Sequence, residues 1–446
     1  MYHNPAFRFR RFLNWFPLGL TYATLYMGRY NFNVVKNDIG AWYHLDKMDM
    51  GIIATAGFWT YGLAVALNGP LADRFGGRKA ILMGAAGGAL MNLLIGLMFL
   101  NGRTTHLLVV MSILWSANMY FQSFGALSVV KVNSTWFHVH ERGVFGGIFG
   151  IMISSGYFLA TTIGAWILSR FHWTMIWIIP AAAIAVMGFV DYLLVRNRPS
   201  HAGFPDFDTG DGSNAHHAED EPLPWRDLIK KVFHNPIVVA LIFAEFCTGF
   251  VRQGVMLYFT EYLGEVYYLP KQDHLFWFTG ITFMLGGIFG GLLCGWMSDK
   301  LFQSRRPPVA FVFYLAQVVM LALLGFSFGR GTLGGQVWAV CLLGLTAMFI
   351  FGVHGMLSGT ASMDFGGRKA AATVTGALDG IQYVGSGLTG FGLGWVLKTY
   401  GWDGVATHGH TPDHAWVWVG CIIPFSFMGA YIMTRIWKAK AGSGAH

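Results

Sequence analysis

Two arginines in this chain sit where a charge is costly. Arg29 lies in Leu25-Tyr26-Met27-Gly28-Arg29-Tyr30-Asn31-Phe32, inside the first long apolar run, and Arg252 lies inside the seventh. A guanidinium in hydrocarbon costs on the order of 3 kcal/mol by insertion scales, so each must face a protein interior or a wet cavity. Two of them at one depth leave about two positive charges in a low-dielectric site, which calls for an anion. The guanidinium fork fits carboxylate and especially phosphate oxygens in bidentate fashion. The pair therefore points to binding and passage of phosphate-bearing or dicarboxylate anions.

Other polar side chains share these helices. Tyr22, Tyr26 and Arg29 fall at i, i+4 and i+7, on one face, where phenol hydroxyls orient an anion or simply pack between helices. Trp115, Asn118 and Gln122 share a face of the fourth segment, and their amides suit substrate hydroxyls or tie helices together. Asp379, Gln382 and Tyr383 form a polar stripe on the eleventh. Glu245 precedes Arg252 by two turns, about 10.5 Å, too far for a direct ion pair. Three readings of Glu245 and Asp379 stand open: counter-ions of the resting arginines, a proton-coupling site, or recognition of a hydroxyl-rich or cationic part of a substrate. His354, deep in the tenth segment, is read as a packing histidine, a proton carrier or a phosphate ligand.

These residues need a frame. The 446 residues are 54% hydrophobic and 12% charged, against about 25% charged in soluble proteins. This predicts an all-α, polytopic protein in a lipid bilayer. Twelve segments are long and apolar enough to span it as helix: 14–38, 50–71, 80–100, 106–131, 143–168, 173–194, 236–262, 274–298, 308–329, 335–361, 370–398 and 415–436. With the N-terminus inside, 21 of the 30 Lys and Arg fall in inner segments and 7 in outer ones, Lys36 among the latter, leaving Arg29 and Arg252. That bias places both termini in the cytoplasm. The net charge of +8 follows this topology and implies no nucleic acid.

An internal repeat organises the chain. Gly69-Pro70-Leu71-Ala72-Asp73-Arg74 after the second segment is echoed by Gly295-Trp296-Met297-Ser298-Asp299-Lys300 after the eighth, an offset of 226 residues, while Arg29 and Arg252 are 223 apart. Two duplicated six-helix halves, 1–195 and 236–446, joined by a cytoplasmic linker at 196–235, would set the arginines across a pseudo-two-fold axis. Within the linker, Trp225 to Phe233 reads as a charged loop or an interfacial amphipathic helix.

Other chemistries find little support. Cys247, Cys294, Cys341 and Cys421 lie in apolar segments without metal-ligand spacing and read as buried thiols. The outer loop at 407–414 holds several histidines but no accompanying hydrolytic or redox set, so no metal and no cofactor is expected. No phosphate-cradling glycine loop or nucleophile elbow is present, and no enzyme is expected. No removable signal peptide is read at the N-terminus.

The chain resembles the organophosphate:phosphate antiporters of the major facilitator superfamily. The resemblance rests on Tyr22, Tyr26 and Arg29-Tyr30-Asn31-Phe32, on Arg252, and on Phe121-Gln122, Lys131, Trp136-Phe137 and Glu141-Arg142-Gly143. It extends to Leu293–Lys300, Arg368-Lys369-Ala370-Ala371, Tyr383 and Gly401-Trp402-Asp403-Gly404, and so covers nearly the whole chain. It implies a twelve-helix major facilitator fold rocking about a central site, with Arg29 and Arg252 as binding arginines. Cytosolic phosphate would exchange for an external phosphate ester such as a sugar phosphate, glycerol phosphate or phosphoglycerate. The expected substrate site is Arg29, Arg252, Tyr22, Tyr26, Gln122 and Tyr383, with Glu245, Asp379 and His354 as coupling or counter-ion groups, in a monomer of the bacterial inner membrane. Three departures stand out. Ile153 aligns with a binding-site histidine of some members, and Glu245 replaces a neutral residue. Gly249 stands where some carry a tyrosine, which implies a wider pocket. The alternatives are a proton-coupled symporter of organic anions or phosphonates, and a transporter-like sensor of phosphate esters.

Overall fold

A computed structural model describes residues 4–102, 105–137, 151–152, 154–206, 234–303, 305–404 and 412–439. The side chains at 70, 73, 74, 134, 299, 359–373 and 375 also lie outside the description. The expectations for Ile153, Glu141–Gly143, Trp225–Phe233 and residues 407–411 fall outside the described residues as well.

The described residues form helices and no strand: α1 (Pro5–Tyr43), α2 (Lys47–Phe75), α3 (Gly77–Leu100), α4 (Leu107–Gln122), α5 (Phe124–Trp136), α6 (Gly164–Arg170), α7 (Met175–Leu194), α8 (Pro236–Glu261), α9 (His274–Lys300), α10 (Arg306–Phe326), α11 (Leu333–His354), α12 (Ser362–Tyr400) and α13 (Trp416–Arg435). They make twelve membrane-crossing rods. α4 and α5 are one rod jogged at Ser123, whose hydroxyl donates to the Tyr120 carbonyl and accepts from Asn68 Nδ2. Single π turns lie before α6 (Leu159–Ile163), after α8 (Tyr262–Val266) and after α11 (Gly355–Ala361).

Local chemistry sets the helix starts. Asn4, Asp46, Asn235, Asp273 and Thr332 cap α1, α2, α8, α9 and α11 by accepting backbone N–H bonds, and Asp46 with Asp49 closes a capping box. Among the described residues, nine spans are long and apolar enough by themselves to cross a membrane. α1 and α12 are not among them, because they carry the polar lining: Asn31, Asn33, Arg29 and Lys36 on α1, Gln382, Ser386 and Thr389 on α12, all buried. The outward faces carry exposed Leu63, Leu67, Leu90, Phe189, Leu292 and Phe289, an apolar belt suited to lipid.

α1 and α8 run parallel at the centre and touch at repeat-equivalent positions. Gln253 Nε2 donates to Tyr30 Oη (3.3 Å) and Asn33 Nδ2 to the Met256 carbonyl (3.1 Å), both pairs separated by 223 residues, the Arg29–Arg252 offset. A residue meets its own repeat equivalent only where the two-fold axis passes between them, so these contacts mark the axis.

α2 and α12 pack antiparallel along a glycine seam. Gly51, Gly62, Gly380, Gly390 and Gly394 bring the two backbones together, and a Cβ on Gly51 would run into the Gly390 carbonyl. Thr55 Oγ1 donates to the Gly387 carbonyl (2.6 Å), and Trp59 Nε1 to that of Val384 (3.1 Å). On the repeat-equivalent side, Gly280 and Gly287 of α9 lie against Thr162 and Ser154.

The seam is sealed at the end away from the termini. Lys36 and Glu261 form an ion pair at 3.2 Å, with side chains 1% and 2% exposed, and Lys36 Nζ lies 4.1 Å from the centre of the Tyr258 ring. Lys47–Glu265 (2.7 Å), Lys271–Asp38 (2.7 Å) and Lys398–Asp46 (2.5 Å) surround it, and Trp402 Nε1 donates to Glu265 (2.8 Å). All four ion pairs join α1, α2 or the turn between them to residues of 261–398. Lys36 is thus not a loop residue, as the charge tally expects, but a buried member of α1. The cysteines also differ from expectation: Cys247 and Cys294 are buried, Cys421 is half-buried and Cys341 is exposed.

Removing one member of a buried ion pair strands the other, at about 3–5 kcal/mol. Lys36→Met is therefore expected to open the seal, raising thiol labelling of a cysteine placed at Asn33. The double variant Lys36→Met/Glu261→Gln should return labelling most of the way to the parent level. Equal labelling in parent and Lys36→Met would show that the pair does not hold the seal.

Candidate functional site

The site lies where α1, α2, α8 and α12 meet below the seal. Arg29 and Arg252 are 1% and 4% exposed. They do not touch. Two tyrosine rings stand between them. The Arg29 guanidinium carbon lies 4.5 Å from the ring centre of Tyr61 on α2, the Tyr61 and Tyr383 rings are 4.2 Å apart, and Arg252 lies 5.4 Å from Tyr383. A continuous stack, Arg29–Tyr61–Tyr383–Arg252, thus crosses from one repeat to the other. The negative faces of the rings attract the cations. Tyr26 and Tyr22 flank Arg29 at 4.8 and 5.9 Å. Tyr157 Oη donates to Tyr30 Oη (3.0 Å) beside this stack.

Each arginine is steered by a glutamine. Arg29 Nη2 donates to the Gln122 carbonyl (3.2 Å), and Arg252 Nη2 to Gln382 Oε1 (3.0 Å). Arg29 Nε and Nη1 and Arg252 Nε find no acceptor among the described residues. Buried guanidinium donors without partners cost several kcal/mol in desolvation, and a tetrahedral oxyanion supplies what they lack. Asn118 takes the helix-tying role: its Nδ2 donates to the Gly28 carbonyl (2.8 Å), and its Oδ1 accepts from Asn92 (3.0 Å).

The Gln382 bond fixes a chain of donors behind Arg252. Arginine only donates, so the glutamine oxygen faces it and the amide nitrogen faces away. That nitrogen lies 3.0 Å from His354 Nδ1, which must accept. His354 is then the neutral Nε2–H tautomer, and its 3.6 Å approach to Glu245 Oε2 is not a charge pair. No ion pair joins Arg29 or Arg252 to a carboxylate among the described residues, so neither acid clamps an arginine in this conformation. Asp379 lies on the same wall, within electrostatic reach of His354, Glu245 and Arg252.

All six expected substrate-site residues therefore converge, and His354 and Glu245 join them through Gln382. Tyr61 and Tyr157 escape the sequence reading, because aromatic residues in wholly apolar runs carry no periodic signal, and Tyr30 enters it only through the family resemblance. Gly249 overturns the expectation of a wider pocket. A Cβ there would collide with the Gln382 carbonyl, so the glycine brings α8 and α12 together instead of leaving space.

Residues 18–390 match the family model described as Major Facilitator Superfamily. The chain belongs to the Major Facilitator Superfamily. Like other members of this superfamily of transporters, it is a membrane transport protein and not an enzyme. Among curated relatives it is similar to the membrane sensor protein UhpC of Salmonella typhimurium, 28% identical over 399 residues (86% of this chain, 85% of the relative). It is also similar to a probable hexose phosphate transport protein of Chlamydia trachomatis, 26% identical over 414 residues (89% and 87%). A third relative is the glycerol-3-phosphate transporter of Bacillus subtilis, 26% identical over 365 residues (80% and 80%). Among solved structures, a bacterial homolog of the lysosomal transporter Spinster, inward-facing and unoccupied, superposes with a TM-score of 0.70 at 14% identity, covering 97% of this chain and 95% of that one. The nucleoside transporter NupG gives 0.66 at 16% identity (95% and 99%). These two likenesses establish the major facilitator fold.

The close α8–α12 approach gives a direct check. Gly249→Ala forces a methyl into the Gln382 backbone and is expected to destabilise by about 1–3 kcal/mol. Thermal unfolding of the detergent-solubilised protein should show a clear drop, while an unchanged midpoint would mean that the helices are not in backbone contact.

Proposed function

We propose that the chain is a secondary transporter that exchanges a phosphate-bearing organic anion for inorganic phosphate. Sugar phosphates, glycerol phosphate and phosphoglycerate are the candidate esters. The observation that carries this reading is the pair of buried arginines with unspent donors on either side of the Tyr61–Tyr383 contact. Arg29 and Arg252 hold the phosphoryl group bidentately, Tyr22, Tyr26 and Tyr383 orient it, and Gln122 and Gln382 keep the two forks aimed. Two halves, 1–195 and 236–446, linked through the cytoplasmic segment 196–235, rock about this site. Phosphate bridging both arginines supplies the differential contact that favours closure around it. The protein works as a monomer in the bacterial inner membrane with both termini cytoplasmic, so the ion-paired seal faces outward and the site communicates with the cytoplasm. The similarity to hexose phosphate and glycerol-3-phosphate transport proteins supports the substrate class.

The similarity to a membrane sensor protein favours a second reading, in which the same site binds a phosphate ester and reports it without net flux.

Proteoliposomes loaded with labelled phosphate separate the two. Exchange predicts efflux driven by an external phosphate ester, reduced roughly ten- to a hundredfold by Arg29→Lys or Arg252→Lys as one bidentate charged contact is lost. Ester-induced thermal stabilisation without efflux would favour the sensor. Unaltered exchange in both lysine variants would remove the two-arginine site.

A further inference from the structure

Binding a phosphoryl group gives Glu245, His354 and Asp379 no role. The phosphoryl group needs donors, and two carboxylates beside it repel a dianion. Neither acid pairs with Arg29 or Arg252. Glu245 is fully buried, and its oxygens meet no charged donor among the described residues, the backbone N–H of Ser358 being a neutral donor directed at it. Its nearest basic neighbour among the described residues, His354, is held neutral by the Arg252–Gln382–His354 donor chain and offers no charge at 3.6 Å. Asp379, on the wall of α12 one turn before Tyr383, has the neutral Ser358 hydroxyl as a donor, and its Oδ1 has no hydrogen-bond partner among the described residues. The three residues do not group as ligands of a metal ion among the described residues.

From this juxtaposition we propose that Glu245 and Asp379, with His354 between α8 and α12, form a cation subsite. It selects phosphate or phosphonate monoesters that carry a primary ammonium group. The inference rests on the exchange reading and names its substrate class. Ionised carboxylates accept only, and an ammonium offers three donors and the missing charge, whereas a hydroxyl offers one donor and no charge. Glu245 and Arg252 sit two turns apart on one face of α8, about 10.5 Å along the axis. Gln382 and His354 span the distance from Arg252 to Glu245, and a short aminoalkyl phosphate laid along them would set its phosphoryl group toward Arg252 and its ammonium toward the acids. Such a zwitterion neutralises both ends of the site at once. A hydroxylated ester leaves two buried carboxylates uncompensated.

Matched pairs test this in phosphate-loaded proteoliposomes: 2-aminoethyl phosphate against 2-hydroxyethyl phosphate, and glucosamine 6-phosphate against glucose 6-phosphate. The ammonium member of at least one pair is expected to show a kcat/KM at least about tenfold higher, since a site built for a charged donor discriminates against the analogue lacking it. Glu245→Gln and Asp379→Asn should each pull that ratio toward one. A variant that fails to reach the membrane is replaced by competition on the parent protein, where 2-aminoethyl phosphate should inhibit phosphate self-exchange more strongly than its hydroxyl partner. Equal or poorer use of the ammonium esters, or a ratio unchanged in both variants, overturns the subsite. If neutral esters exchange well and ammonium esters gain nothing, the subsite alone fails. If no ester exchanges, the exchange reading fails, and ester-induced thermal stabilisation of the parent protein, greater for the ammonium member if the subsite is right, still decides the subsite.

Discussion

The architecture depends on two guanidiniums held out of water with more donors than acceptors. A buried arginine cannot shed its proton, so its neighbours must be arranged around a permanent charge. Each is met by a glutamine and by the face of a tyrosine, and the two tyrosines meet each other. This arrangement is polar enough to tolerate the charges and incomplete enough to leave Arg29 Nε and Nη1 and Arg252 Nε without partners. The helices follow from that demand. α1 and α8 carry the arginines and lie on the axis, α2 and α12 bring the tyrosines, and the Ser123 jog between α4 and α5 lies next to Gln122.

Much of this was legible in the sequence, for identifiable reasons. Long apolar runs announce membrane helices, and a charge inside one announces an interior face. The agreement of the 223- and 226-residue offsets turns two isolated arginines into a pair, and the Tyr30–Gln253 and Asn33–Met256 contacts lie on the axis that agreement implies. Other features have no one-dimensional signature. Lys36 counts as an outer-loop cation by position, yet it is sealed against Glu261, because the partner that makes burial tolerable lies on another helix. Tyr61 reads as one aromatic among many. Gly249 reads as space, whereas a missing side chain between two helices lets backbones approach and closes the gap.

Acids occupy two levels of the molecule and behave differently at each. Toward the sealed end, Asp38, Asp46, Glu261 and Glu265 each have a lysine partner across the helix boundary. Burial pushes the Asp46 carboxyl up, but the hydrogen bond from Lys398 and the N–H groups of Asp49 and Met48 outweigh it and hold the carboxyl below its ordinary range. That contribution is present above the usual carboxylate pKa and is lost only as the pH falls through the lowered value. Below the arginines, Glu245 and Asp379 have no cation at contact among the described residues. One level closes the protein on itself, while the other awaits something from outside.

The glycine seam between α2 and α12 bears on how such a protein evolves. Where side chains interlock, a faster opening must be obtained by loosening the packing, and the fold weakens with it. Here the facing surfaces are largely bare backbone, already hydrogen-bonded within its own helices, so separating them pulls few knobs out of holes. Beyond the Thr55 and Trp59 hydrogen bonds and the Tyr61–Tyr383 contact, the resistance to opening lies in a few charged side chains at one rim. Turnover can then drift by single substitutions at that rim without disturbing the core, which separates the selection of speed from the selection of stability.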